Sequence, residues 1–217
     1  PRGTSGPRRV WGFHVKHRQL SEVASWAGLS IDARQEADLR RFEAWLVDEA
    51  ADGGGIGPRE SSHVWERHVL DSLMFARPLV SAGLTDVVDI GTGVGLPGLP
   101  LAVALPDISW RLVDRSGRRV RLLRRAIRLL GLRNAEALEL SADRYLAERG
   151  PEPALVMRGV LPPPELPAFV ERMVAPGGVA VIGGGLDPDP VPGAELLRFP
   201  GSEILAPGRW LRIMRRP

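Results

Sequence analysis

The sequence contains no cysteine, and none of its apolar runs is long. Without cysteine the chain cannot form disulfide bonds or use a thiol in catalysis, which suits a protein of a reducing compartment. No apolar run approaches the ~18 residues that are needed to span a bilayer. The first residues also lack the apolar core of a signal peptide. We therefore expect a cytoplasmic protein with no membrane span.

Lysine is nearly absent, because Lys16 is the only one in the chain. The other positive charges are arginines, and the formal net charge is +3. Arginine binds phosphate oxygens in pairs, so this composition favours a nucleic-acid partner. A codon bias toward arginine explains the same composition, so charge alone leaves the partner open.

The four histidines do not form a metal-binding pattern. His14 and His17 have helical spacing, but no third ligand is close to them in the sequence. His63 and His68 would not share one face of a helix. We expect no metal site.

The spacing of apolar residues changes near residue 85. Before that point the patterns are helical, over residues 17–29, 31–50 and 63–80. We interpret residues 1–85 as an N-terminal helical cap and residues 86–217 as the second domain.

From residue 86 onward, short runs of Val, Ile and Leu alternate with helical patterns, which is typical of an α/β fold with a parallel sheet. The predicted strands cover residues 86–90, 109–114, 135–140, 154–158 and 179–183. The predicted helices between them cover residues 98–105, 117–130, 143–149 and 164–174. No helical pattern separates residues 195–199 from 209–215, so these two segments are predicted to form a closing antiparallel hairpin.

The stretch DIGTGVGLPG (89–98) follows the first predicted strand and opens a helix. Gly91, Gly93 and Gly95 can adopt positive φ and allow a ligand to approach the backbone. The helix start beyond them presents free N–H groups. Asp114 ends the second strand, where a carboxylate can accept hydrogen bonds from ribose hydroxyls. Together these features predict a nucleotide-containing cofactor at the carboxyl ends of the strands.

Two cofactors fit this loop. Residues 93–98 match the dinucleotide pattern G-x-G-x-x-G, whereas residues 89–95 match the acidic-x-Gly-x-Gly-x-Gly signature of S-adenosyl-L-methionine methyltransferases. Asp89, at the end of the first strand, is placed to meet the ammonium group of S-adenosyl-L-methionine. Ala142 and Asp143 follow the third strand, where such enzymes place an acidic residue on the adenine amine. The closing hairpin also resembles the sixth and seventh strands of class I methyltransferases, and we therefore favour S-adenosyl-L-methionine.

Longer stretches carry a more specific resemblance. GTGVGLPGLPLAVALPD and LVDRSGRRVRLLRRAIRLLGLRN, with His68-Val-Leu-Asp71-Ser72 upstream and Arg158-Gly159 downstream, resemble the glucose-inhibited division protein B family. Its members are bacterial methyltransferases that modify guanine N7 in 16S rRNA. The resemblance covers about residues 63–180. It implies a class I methyltransferase fold, Rossmann-like, with a mostly parallel seven-stranded sheet.

The resemblance also implies roles for individual residues. Arg158 would face the methyl-transfer pocket as the catalytic residue, and Asp114 would hold the ribose. The full set expected to bind the cofactor is Asp89, Gly91, Gly93, Gly95, Leu96, Asp114, Ala142, Asp143 and Arg158.

The substrate-facing half departs from the family pattern. Family members usually carry Trp-Asn-x-x-x-Asn-Leu-Thr, whereas here Trp45 is followed by LVDEAADGGGIG. Residues 183–185 are three glycines where the family often has Lys-Gly, and Arg158-Gly159 replaces Arg-Ala. Two substrates therefore remain open, namely 16S rRNA in the small ribosomal subunit and a small molecule such as a secondary metabolite.

The residues also bear on the reaction. Guanine N7 has a lone pair and no proton to lose, so its methylation needs alignment of the reactants rather than a general base. The sequence shows no paired acid and base. It also has Arg158-Gly-Val-Leu-Pro-Pro-Pro where enzymes that methylate amino groups carry Asn/Asp-Pro-Pro-aromatic. These features favour N7 over an exocyclic amine.

The helix predicted over residues 117–130 is amphipathic. Its apolar stripe consists of Val120, Leu123, Ile127 and Leu130. The opposite faces carry arginines, which either contact an RNA backbone or form an ordinary solvated helix face. The basic segment 8–18 also has two interpretations, an RNA contact or a disordered tail.

Overall fold

The computed structural model describes residues 8–50, 63–185, 188–201 and 209–217, with the side chains of residues 8–13 and 50 excepted. The break predicted at residues 52–58 lies outside the described residues. So do the side chains at positions 8–13 of the basic segment.

Seven strands form one mixed sheet within these residues, in the order β3-β2-β1-β4-β5-β7-β6. Their bounds are β1 Asp86–Ile90, β2 Ser109–Asp114, β3 Ala135–Glu139, β4 Glu152–Met157, β5 Val174–Gly185, β6 Ala194–Phe199 and β7 Arg209–Arg215. Strands β1 to β5 pair in parallel, and β7 pairs antiparallel with both β5 and β6. The predicted α/β fold with an antiparallel closing hairpin is confirmed. Strand β5 is longer than the predicted 179–183, because its backbone pairing continues beyond the apolar run.

The described helices lie before the sheet and between its strands. Their bounds are α1 Arg8–Ala27, α2 Ala33–Trp45, α3 Asp71–Leu73, α4 Ala76–Ser81, α5 Gly98–Ala104, α6 Gly117–Leu130, α7 Ala142–Arg149 and α8 Leu166–Met173. A π-helix, Leu46–Ala50, continues from α2, and another, Trp65–Leu70, leads into α3. The prediction of one continuous helix over residues 63–80 is therefore wrong in detail. The segment contains a π-helix before α3, and Met74–Phe75 separate α3 from α4.

Helix α6 has the bounds that the sequence predicts, and its ends show why. The side chain of Ser116 accepts a hydrogen bond from the backbone N–H of Arg119 at the first turn. At the other end Gly131 adopts φ +63°, a left-handed conformation that terminates helices. Of the predicted apolar stripe, Val120, Leu123 and Leu130 are buried and Ile127 is half-buried.

Two hydrophobic layers cover the faces of the sheet. One layer contains Val87 of β1, Leu123 of α6 and residues of α1 to α4, including Leu39 and Phe42. The other contains Val88 of β1 and residues of α7 and α8. The N-terminal helices thus share a core with the α5 and α6 face of the sheet. The division into two domains at residue 85 stays a prediction.

A polar cluster joins three strands at their amino ends. Arg111 of β2 pairs with Glu152 of β4 through Nη2 and Oε2, 2.6 Å apart, and with Asp86 of β1 at 3.2 Å. Its Nε donates to the hydroxyl of Tyr145 on α7 at 2.9 Å, and that hydroxyl donates to Glu152. Burial raises the pKa of Tyr145, which keeps the phenol protonated. The cluster stabilises the sheet at the amino ends of these strands, opposite the carboxyl ends that carry the glycine loop.

Candidate functional site

The glycine loop crosses from β1 to α5 above the carboxyl ends of β1 and β2. The N–H groups of Gly91 and Thr92 both donate to the carbonyl of Val113, at 2.8 and 3.1 Å. Gly91, Gly93 and Gly95 adopt φ values of +69°, +62° and +101°, as the sequence predicts for a loop that turns sharply. The loop is therefore held against the end of β2.

Asp114 connects this loop to the end of β2. Its Oδ2 accepts from the N–H of Gly93 at 3.0 Å, and its Oδ1 accepts from the N–H of Ser116 at 2.8 Å. The guanidinium of Arg119 lies 3.5 Å from Oδ2. Asp114 is only 4% exposed. A carboxylate has more acceptor positions than these contacts use, so Asp114 keeps acceptor capacity at the loop.

Asp89 lies near the end of β1, as predicted, and its side chain points beneath the loop. It is fully buried beneath the loop, and its Oδ2 accepts from the hydroxyl of Thr92 at 2.7 Å and from the N–H of Gly98 at 2.8 Å. Burial raises the pKa of Asp89 to about 7, against the two hydrogen bonds, which lower it. Asp89 lines none of the three cavities and fixes the loop through these two bonds, and its contact with the ammonium group of S-adenosyl-L-methionine stays a prediction.

A cavity of about 890 Å³, the strand-end cavity, opens beside the loop. Its walls come from the ends of β1 and β2, the start of α7, the segment after β4, and α8. Of the predicted cofactor residues, Gly91, Asp114, Ala142 and Asp143 line it. The apolar side chains of Leu140, Val160 and Phe169 line it as well. Asp143 is exposed and pairs with Arg172 through a 3.1 Å contact.

The remaining loop residues support the cavity from outside its lining. A Cβ atom at Gly95 would lie 2.2 Å from Cδ1 of Leu99, so this glycine allows the loop to pack on α5. Gly93 orients Asp114, and Leu96 is buried. At Gly91 the loop backbone lies close to Val160 in the opposite wall of the cavity, because a Cβ atom there would lie 2.6 Å from Cγ2 of Val160.

Arg158 lies outside the strand-end cavity, in a second one of about 310 Å³ that we call the glycine cavity. It is lined by Asp71, Met74, Phe75, Arg158, Gly159, Gly183, Gly184, Gly185, Arg209, Trp210 and Leu211. The guanidinium of Arg158 donates to the carbonyl of Arg67 at 3.3 Å and lies 3.2 Å from Nδ1 of His68. Gly159 lines both cavities, so they adjoin at that residue.

The ion pair between Asp71 and Arg209 in the glycine cavity was not foreseen from the sequence. Nε of Arg209 lies 3.0 Å from each carboxylate oxygen of Asp71. Burial raises the pKa of Asp71, and the guanidinium of Arg209 opposes that rise. Trp210 follows Arg209 on β7 and had no assigned role in the site. These residues lie far from Asp71 along the chain, and no local spacing joins them.

A third cavity, of about 610 Å³, shares no residue with the other two. Gln35 and Asn134 line it, and their amide groups already donate to backbone carbonyls between residues 102 and 108. In the described part of the chain no group of three or more His, Asp or Glu side chains is placed to hold a metal ion. None of the described helices is both long enough and apolar enough to cross a membrane.

Comparison of the fold with solved structures finds the following two proteins among its matches. A mutant of MtNAS in complex with S-adenosylmethionine has a TM-score of 0.54 at 13% identity, and the match covers 85% of this chain and 72% of that one. The hypothetical protein TTHA0928 of Thermus thermophilus has a TM-score of 0.51 at 22% identity, covering 67% and 84%. At these identities the similarity concerns the fold.

Curated relatives are closer in sequence. The ribosomal RNA small subunit methyltransferase G of Kineococcus radiotolerans is 34% identical over 214 residues, covering 96% of this chain and 84% of that protein. The protein of the same name from Shewanella amazonensis is 36% identical over 132 residues, covering 61% and 63%. Several relatives match over only 53–63% of their own length.

The family model described as GidB, rRNA small subunit methyltransferase G, matches residues 35–187, which include the glycine loop, Asp71, Asp114 and Arg158. This match agrees with the resemblance drawn from the sequence motifs. The chain therefore belongs to the GidB family of rRNA small subunit methyltransferase G proteins.

Proposed function

We propose that this protein transfers a methyl group from S-adenosyl-L-methionine to N7 of a guanine in 16S rRNA of the small ribosomal subunit. The observation that carries this proposal is the pair of adjoining cavities. The strand-end cavity suits a cofactor, the glycine cavity suits an acceptor, and Gly159 lines both. The names of the relatives support the choice of RNA.

The strand-end cavity fits the adenosyl part of the cofactor. Its volume of about 890 Å³ is typical of small-molecule sites. Asp114 provides carboxylate oxygens for ribose hydroxyls, and Gly91 allows close approach to the backbone. Asp143 at the start of α7 is the acceptor for the adenine amine, and the apolar side chains of Val160 and Phe169 provide surfaces for the ring.

The bound cofactor supplies a methyl group on a sulfonium, which is reactive without further activation. In the proposed transfer the lone pair of guanine N7 forms the new N–C bond while the S–C bond breaks, and that electron pair remains on sulfur. The products are a neutral thioether and a cationic 7-methylguanine, and no proton is moved. The two adjoining cavities therefore act by aligning the reactants.

Arg158 is placed to orient the reactants, because its guanidinium is held at the edge of the glycine cavity next to Gly159. We assign it a contact to guanine O6 or to the cofactor carboxylate. A bond from Arg158 to N7 itself would occupy the lone pair that must attack, so that contact is excluded during transfer.

The exposed face of α6 offers a contact surface for the RNA backbone. Arg118, Arg121, Arg125 and Arg128 are exposed along it. Arg125 pairs with Glu49 at 2.6 Å, whereas Arg121 and Arg128 form no ion pair within the described residues. Arg115 and Arg119, just before and within α6, line the strand-end cavity. The basic surface therefore continues from α6 to the cofactor site.

The proposal is tested by incubating the protein with methyl-labelled S-adenosyl-L-methionine and small ribosomal subunits that lack the modification. Digestion to nucleosides and mass spectrometry identify the product. We expect label in 7-methylguanosine from 16S rRNA. Label in another nucleoside, or no label in any RNA despite cofactor binding, would contradict the proposal, and the latter would favour a small-molecule acceptor.

A further inference from the structure

The glycine cavity has the size and position of a site for one base. Its volume of about 310 Å³ lies at the lower end of the ~300–1,000 Å³ range of small-molecule sites. One wall is backbone, since a Cβ atom at Gly183 would lie 3.0 Å from Cγ of Arg158 and one at Gly184 would lie 3.0 Å from the carbonyl oxygen of Trp210. Side chains at these two positions would narrow the cavity.

The other walls include apolar and aromatic side chains. Met74 and Phe75, on the turn between α3 and α4, are buried at the cavity. Trp210 is half-buried, and the guanidinium carbon of Arg198 lies 5.4 Å from the centre of its ring. An aromatic surface of this kind suits a planar base, because stacking on an aromatic side chain stabilises any base that leaves its duplex.

Asp71 is the one carboxylate among the residues that line the glycine cavity, as far as the chain is described. Both of its oxygens lie 3.0 Å from Nε of Arg209, which carries a single hydrogen. An ionised carboxylate has about four acceptor positions. The ion pair therefore orients Asp71 and leaves acceptor positions for a ligand.

The chemistry of guanine matches an acceptor in this place. When N7 points toward the strand-end cavity, the opposite edge of the base, with N1–H and the N2 amine, points into the glycine cavity. These groups are adjacent donors, and one carboxylate oxygen can accept from both through an outer position that the contact with Arg209 leaves open. Adenine presents an acceptor at N1 and has no N2 amine, so the same carboxylate would disfavour it.

We propose that the glycine cavity binds the target guanine and that Asp71 selects it by accepting hydrogen bonds from N1–H and the N2 amine. This inference rests on the proposed function, because it identifies the part of the site that reads the substrate. Arg209 is a positioning residue, since it acts by orienting Asp71.

The test is titration of the wild-type protein, saturated with S-adenosylhomocysteine, by GMP and by IMP, followed by NMR. IMP keeps N7, O6 and N1–H and lacks only the N2 amine. We expect GMP to bind at least about tenfold more tightly, the lower end of the roughly 10- to 150-fold range for one hydrogen bond to a charged group. Equal affinities, or no measurable binding of either nucleotide, would overturn the inference.

Three variants separate recognition from support of the fold. Asp71→Asn is expected to lose the preference for GMP. Arg209→Gln keeps the carboxylate but removes the ion pair that orients it, so the preference should weaken without vanishing, whereas equal loss in both variants would reduce Asp71 to a structural role. Asp86→Asn is the matched control, because Asp86 also pairs with an arginine but at the opposite edge of the sheet. It should bind like the wild type.

The binding test and the transfer assay fail independently. A GMP preference that depends on Asp71, without methyl transfer to rRNA, would leave the base site standing and contradict the proposed function. Transfer to guanine N7 with an unchanged preference in Asp71→Asn would support the proposed function and overturn this inference alone.

Discussion

The N–H of Gly93 donates to Oδ2 of Asp114 at 3.0 Å, and this bond fixes the glycine loop to the end of β2. The same carboxylate accepts from the N–H of Ser116, the residue that caps α6. One buried side chain thus connects the loop, the second strand and the helix that follows. It also presents the oxygens that we assign to the ribose.

Asp114→Ala removes both the loop contact and the proposed ribose contact. We expect the affinity for S-adenosyl-L-methionine to fall roughly 10- to 150-fold, the range for lost hydrogen bonds to a charged group. Isothermal titration calorimetry measures the change. Asp107→Ala, an exposed carboxylate in the turn before β2, is the control and should bind normally. Unchanged affinity in Asp114→Ala would remove the ribose assignment.

Gly91→Ala introduces two separate penalties. The residue has φ +69°, and its new Cβ atom would lie 2.6 Å from Cγ2 of Val160. Gly83→Ala has a similar φ of +62° with open space around the new atom, so it measures the backbone strain alone, roughly 1–2 kcal/mol. Thermal unfolding should show a larger loss for Gly91→Ala, together with weaker cofactor binding. In the double variant with Val160→Ala, the loss of stability should fall to that of Gly83→Ala. Equal losses of stability in Gly91→Ala and Gly83→Ala would contradict the close contact between residue 91 and Val160.

Asp89 makes the stability depend on pH in a defined direction. Its pKa rises from 3.8 to about 7 on folding, because burial disfavours the charged form. Its stabilising contribution is therefore complete below pH 3.8 and is lost as the pH rises toward 7. The free energy of unfolding should decrease across that window by up to about 1.4 kcal/mol per pH unit.

Asp89→Asn isolates this effect, because the amide keeps an oxygen for Thr92 and Gly98 and does not titrate. Urea unfolding at several pH values measures the difference between the two proteins. Relative to the wild type, the variant should gain stability as the pH rises from about 4 to about 7. A constant difference across this window would show that Asp89 keeps an ordinary pKa.

The arginines of α6 should contribute to RNA binding through charge. Arg121→Gln with Arg128→Gln removes two exposed cations that form no ion pair within the described residues. We expect weaker binding to small-subunit rRNA and a slope of log K against log salt that is smaller by about 2, one for each lost phosphate contact. Cofactor affinity should not change. Arg41→Gln on α2 is the control, and an unchanged slope in the double variant would leave α6 as a solvated face.

The sequence predicts the sheet well because its strands and helices carry strong local signals. Helix α6 begins after a capping serine and ends before a glycine, so even its bounds follow from the sequence. The π-helix Trp65–Leu70 could not be predicted in the same way, because a single π-helical turn within a helical segment is too short to show an apolar spacing of its own. Only tertiary packing distinguishes it from an α-helical turn.

Some residues of the candidate site could likewise be predicted from the sequence, and others could not. Four of the residues that line the strand-end cavity could be predicted, because strand ends and helix starts are recognisable from local sequence patterns. They are Gly91, Asp114, Ala142 and Asp143. Asp89 shares the motif but lies beneath the loop, and a spacing pattern does not reveal on which side of a loop a side chain is buried. The contact of Asp71 with Arg209 joins residues 138 positions apart, so it depends on the complete fold.

A crystal structure of the protein with S-adenosylhomocysteine tests the central claim most directly, because that claim concerns where the cofactor lies. We expect the ribose hydroxyls on Asp114, the adenine beside Asp143 and Phe169, and the sulfur directed toward Gly159 and the glycine cavity. A ligand bound outside the strand-end cavity, or one whose sulfur points away from Gly159, would contradict the account.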